Sequence, residues 1–248
     1  INAMSSYLAR SEKNGERYSP EALDRLHHLA AAFREEGIYL HLVLLGPGLF
    51  GSKLESAANF VRRDALKMHF YLGNPVVREH FQFAVEILKR RNPYTGISLI
   101  EDPVIGILEF YNEQFMGISR IGRVRKNFPD DYSSMIKAWN TSLKERFGRD
   151  FQERELPEFS TGKQWNREYA EFIQTLVEES NLWCERVLRE AGYAGLCVQN
   201  AHKSFVFRRA GWNTMSMQDD HTYFNHPSAT MSIDSRVGSE SSLEVHRC

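Results

Sequence analysis

Glu113 ends an apolar run, Val104-Ile-Gly-Ile-Leu-Glu-Phe-Tyr-Asn-Glu-Gln114, in a setting suited to a carboxyl group that gives and takes a proton. Val104, Ile105, Ile107, Leu108 and Phe110 favour a strand covered on both faces, and Gly106 permits close packing within it. The pair Asn112-Glu113 arrives where that strand should stop. In an α/β barrel the carboxyl ends of the strands carry the chemistry, so a strand-end glutamate is well placed for catalysis. A solvated strand end accounts for the same residues equally well. Two further polar groups fall at similar positions: Gln199-Asn200 closes the run Leu196-Cys-Val, and His221 and Tyr223 stand two apart, a spacing that puts both on one face of a strand.

The elements that must position these groups alternate along the chain. Ser19-Pro20-Glu21 starts a helix with a cap, a proline in the first turn and an acid at the positive end of the dipole. Leu23, Leu26, Leu29, Ala30 and Phe33 supply its apolar stripe, and Gly37 ends it. Ile38 to Leu45 reads as a strand, with His41 more consistent with a hydrogen-bonded core residue than with a ligand. Gly46-Pro-Gly48 then opens a long connection whose Phe50, Phe60, His69, Phe70 and Tyr71 could build an aromatic platform for a sugar ring, although ordinary packing within the loop is the commoner fate of any one of them. Asn74-Pro75 introduces a helix to Arg91. After Glu113 comes a broad insertion with the basic run Arg120, Arg123, Arg125 and Lys126, read as a solvated face. Helices over 130–147 and 165–191, a strand over 196–200, a short helix over 201–211 and a strand over 214–223 complete the reading. Alternating helices and strands favour a parallel sheet.

Composition sets outer bounds. The 248 residues suffice for one barrel of ordinary size, which takes about 250. A formal charge of -1 gives the chain as a whole no attraction for nucleic acid or an anionic membrane. The three cysteines, Cys184, Cys197 and Cys248, form neither a C-x-x-C pair nor an even framework, and are expected as reduced thiols. No apolar run approaches the roughly 20 residues of a membrane helix. No basic segment followed by an apolar core opens the chain, so it is expected to be soluble and cytoplasmic as it stands, or secreted if a leader lies upstream. Nothing sets the oligomeric state.

Asn112-Glu113 at a strand end resembles the acid/base motif of the large clan of retaining glycoside hydrolases built on (β/α)8 barrels, the cellulase and mannanase type. Tyr18 to Leu26, running through Arg34-Glu-Glu-Gly-Ile-Tyr39 into a strand, resembles the helix and third strand of cellulase-like members. Asn92-Pro-Tyr-Thr-Gly96 and Asp220-His-Thr-Tyr-Phe-Asn-His-Pro227 follow in the family's order, the latter resembling its sixth-strand region. The resemblance implies a (β/α)8 TIM-barrel fold and an oligosaccharide or polysaccharide substrate, with no cofactor and no metal. It implies Glu113 as general acid/base, held protonated by burial and by a second carboxylate. Asn112 would bind the sugar 2-hydroxyl, Asn200 and His221 other hydroxyls, and Tyr223 would orient the nucleophile.

The same resemblance exposes a departure. The family's nucleophile is a glutamate ending the seventh strand, and after Pro227 only Glu240 and Glu244 remain, in settings that match neither a buried strand nor that motif. The first two strands also lack counterparts before Tyr18, so residues 1–248 are expected to form a single barrel-type domain that is incomplete. A non-catalytic carbohydrate-binding fragment or pseudoenzyme is the alternative. A metallohydrolase using Asp219, Asp220, His221 and His226 is a third reading, weakened by the absence of a compact H-E-x-x-H spacing. Without a nucleophile, this chain is expected to turn over aryl glycosides poorly.

Overall fold

The computed structural model describes residues 19–45, 60–112, 118–157, 167–200 and 205–219. Helix α1 spans Pro20–Glu35, and the Ser19 hydroxyl oxygen caps it by accepting the Ala22 N–H at 3.2 Å. Its exit needs Gly37, whose φ of 68° lets the Ile38 N–H fold back onto the Phe33 carbonyl at 2.8 Å. Strand β1 is Leu40–Leu45.

Two helices, α2 over Phe60–Tyr71 and α3 over Pro75–Leu88, separate β1 from β2 over Ile105–Tyr111. The expected aromatic loop is thus in large part a helix, because Ala65 and Met68 give it a buried stripe that continues into Phe70 and Tyr71. Beyond β2, the basic run of the broad insertion falls in helix α4, Ile118–Asn127. Helix α5, Pro129–Phe147, and helix α6, Arg167–Glu190, follow, and Gly148 and Gly192 stand just beyond their ends. Strand β3 is Leu196–Asn200, helix α7 Phe205–Thr214 and strand β4 Met217–Asp219.

The strands form a parallel sheet in the order β1-β2-β3-β4, so sequence neighbours are spatial neighbours throughout. The protein is therefore α/β. Four strands occur among the described residues, against the eight of a complete barrel. One face of the sheet is packed by helices: Phe110 of β2 meets Phe81 of α3 edge-on at 6.1 Å, and Phe81 reaches Trp183 of α6 at 5.4 Å. A second aromatic cluster, Trp139 with Tyr169 and Phe172, joins α5 to α6 at centroid distances of 5.7 and 5.3 Å. Among the described residues, no helix is long and apolar enough to cross a membrane.

The entry to β2 is fixed by buried polar groups. The Asp102 carboxylate accepts the Val104 N–H at 3.0 Å and pairs with Arg34 of α1 at 3.1 Å. In the Asn92-Pro-Tyr-Thr-Gly96 stretch, the fully buried Asn92 amide donates to the His27 carbonyl of α1 at 2.9 Å. That stretch therefore serves as a structural turn.

Burial holds the imidazole of His27 below its usual range, with Asp24 opposing the shift and Arg90 adding to it. The unfolded chain accepts a proton near the ordinary histidine value that the folded chain refuses, so stability falls as pH drops from that value toward the folded one, and the deficit stays constant below it. His27→Leu should therefore lose less melting temperature between about pH 7.5 and about pH 5.5 than the parent does, measured by calorimetry.

Candidate active site at the strand ends

Register decides which side chains meet. His41 stands opposite Ile107, Val43 opposite Glu109, Glu109 opposite Val198, and Val198 opposite Met217. Because side chains alternate along a strand, His41, Glu109 and Asp219 share the face turned away from Phe110. The His41 Nε2 lies 3.2 Å from Glu109 Oε2, and Glu109 is wholly buried. One donor atom from each of His41, Glu109 and Asp219 lies within 4.8 Å of the other two. In a flat sheet β1 and β4 would be about 14 Å apart, so the donor atoms of His41 and Asp219 approach far more closely than the strand spacing alone would bring them. A carboxylate buried as completely as Glu109 requires compensation, and the adjacent imidazole supplies one part of it.

The expected catalytic residues can be followed as far as the described residues reach. Asn112 is half-buried just past β2, and its N–H donates to the Leu45 carbonyl at 2.8 Å, which ties the end of β2 to the end of β1. Asn200 ends β3 in register with Asp219. Glu113, His221 and Tyr223 lie outside the described residues, as do Asp220, His226, Glu240 and Glu244. The backbone of Asn112, Asn200 and Asp219 thus stands at the carboxyl ends of neighbouring parallel strands, the rim where Glu113 was expected to act.

Gln199 requires a correction. It is fully buried on the helical side and accepts a hydrogen bond from Asn181 Nδ2 of α6, which also donates to Thr214 Oγ1 of α7 at 2.9 Å. This residue pins β3 to the helices and is turned away from the strand-end rim. The aromatic platform is likewise replaced by core. Phe70 and Tyr71 are buried, and Phe70 packs edge-on against Tyr111 at 5.5 Å, bracing β2 one residue before Asn112. Burial, with Tyr111 and Cys184 nearby, pushes the Tyr71 phenol well above its ordinary value and keeps it neutral. His69 bonds Asp131 at 2.8 Å. The side chains of Phe50 and Phe60 lie outside the description.

Glu109 was not singled out from the sequence, and His41 was expected as a hydrogen-bonded core residue rather than a ligand. Their signal was available: a charged or titratable group inside an otherwise apolar strand is rare without a partner. The thiols Cys184 and Cys197 are free and buried, and burial raises the first well above its usual value and the second to about 11, so neither is an activated nucleophile. A groove of about 580 Å³ lies in the helical layer, walled by His69, Lys137, Glu145 and Glu179 among others, but it is built from helices and lacks the strand-end convergence. No protein-family model matches the chain, and no curated protein matches it.

Asn181→Ala removes the donor shared by Gln199 and Thr214 and should cost about 1–3 kcal/mol in denaturant unfolding. An unchanged midpoint would show that the amide link does not hold β3 in place.

Proposed function

We propose that the chain is part of a retaining (β/α)8-barrel glycoside hydrolase, with Glu113 as general acid/base acting on an oligosaccharide or polysaccharide. The observation that carries this reading is the sequential parallel order of the strands, with Asn112, Asn200 and Asp219 at adjacent carboxyl ends. Crossovers of one hand between strands in sequential order bring the helices to one side, as in a barrel, whereas a doubly wound sheet reverses direction. The approach of the His41, Glu109 and Asp219 donor atoms to within 4.8 Å of one another supports a concave face. On that same face Leu196 and Met217 expose 43% and 37% of their surface at the amino ends of β3 and β4, apolar area of the kind that further strands would cover.

In the proposed chemistry the Glu113 carboxyl protonates the departing glycosidic oxygen as the bond to the anomeric carbon breaks, and later deprotonates the incoming water. Asn112 binds the 2-hydroxyl, where a hydrogen bond strengthens as charge develops. Asn200 and His221 bind other hydroxyls, and Tyr223 orients the nucleophile. No residue of the chain matches the nucleophile motif of the resembled family, which favours a second reading as a carbohydrate-binding chain without turnover.

An added small nucleophile separates the two. Azide attacks the anomeric carbon of a phenyl β-glucoside or β-mannoside, a carbon–nitrogen bond replaces the carbon–oxygen bond, and the Glu113 proton leaves with phenol. Azide-dependent phenol release is expected, with Glu113→Gln lowering it about a hundredfold and affecting dinitrophenyl glycosides far less. Saturable oligosaccharide binding without azide-dependent release would select the second reading. Release indifferent to Glu113→Gln would refute the assignment of Glu113.

A further inference from the structure

We propose that His41, Glu109 and Asp219 form a binding site for one divalent transition-metal ion of the Zn2+ or Mn2+ class. The three residues come from β1, β2 and β4 and place one donor atom each within 4.8 Å of the other two. Four-coordinate zinc, with ligands at about 2.0–2.2 Å, sets its donors about 3.3–3.6 Å apart. The His41–Glu109 separation of 3.2 Å already falls close to that spacing. Glycoside chemistry does not enter this inference, which stands or falls apart from the reading of Glu113.

Donor type identifies the ion. The His41 Nε2 atom is shielded from solvent and has no well-formed hydrogen bond among the described residues, while it points at the Glu109 carboxylate. An imidazole nitrogen in the set selects against calcium and magnesium, which prefer oxygen alone. Three protein donors leave a fourth position for water or a bound hydroxyl.

The strand backbones hold the set in advance. Glu109 cannot turn away, because its neighbours Leu108 and Phe110 are buried in the sheet. His41 and Asp219 are only partly buried, and substituting either removes a donor without emptying the core.

The test uses the full chain stripped of metal by a chelator and titrated calorimetrically with ZnCl2 and MnCl2, with Co2+ absorption as a second readout. One equivalent should bind, raise the melting temperature and give visible bands with Co2+. His41→Ala and Asp219→Asn, each checked for folding by circular dichroism, should weaken binding at least about tenfold. His69→Ala, in the helical layer, should leave it unchanged. Absence of saturable binding, or equal binding by the parent and both cluster variants, would overturn the site. Azide-dependent phenol release in either case would leave the glycosidase reading standing, so the two proposals fail separately.

Discussion

Strand β2 is paired on both sides, and its period-two alternation is the constraint on which the rest depends. Leu108 and Phe110 are buried, Phe110 against Phe81, so Glu109 between them must project to the opposite face, beside His41 and Asp219. A slip of one residue would drive the carboxylate into the aromatic layer under α3 and α6 and carry Phe110 out of it. Burying an isolated carboxylate there costs several kcal/mol even after relaxation, which makes the observed register strongly preferred. The same alternation sets where the strand delivers Asn112.

The helical layer keeps this arrangement from shifting. Asp102 with Arg34, and Asn92 with the His27 carbonyl, fix the approach to β2 from α1. Phe70 braces its far end through Tyr111, and the Lys67 ammonium sits 5.7 Å from the centre of the same ring. Asn181 does the equivalent for β3 by gripping Gln199 and Thr214 together. Glu109, by contrast, is buried on the opposite face of β2 from Phe110, beside the partly buried His41 and Asp219.

Much of this was legible where local rules agree with packing. Ser19-Pro20-Glu21 starts α1 as its capping chemistry requires, and Leu196 to Asn200 forms a strand over the full expected span. Helix α2 was hidden because its buried stripe is short and set among aromatic residues that also suit a loop. Helix α4 was hidden because its cations and Gly122 mask a faint apolar period, of which Val124 is the buried member. The polar pair at 199–200 was ambiguous in sequence because adjacent strand residues point to opposite faces, and burial decides it for Gln199, which faces the helices. Glu109 was read as part of an apolar run, although a carboxylate within such a run is its most informative residue. What no local rule carries is the meeting of side chains from β1, β2 and β4, which depends on sheet order and register.

The carboxyl-end face of this sheet, rather than the helical groove, is the proposed working surface. Amide chemical-shift mapping of the isotope-labelled chain during titration with β-linked gluco- and manno-oligosaccharides tests it most directly. Saturable shifts centred on Asn112, Asn200 and Asp219 are expected, with Lys137, Glu145 and Glu179 unmoved. Shifts confined to the helical groove, or none with any of these sugars, would contradict it.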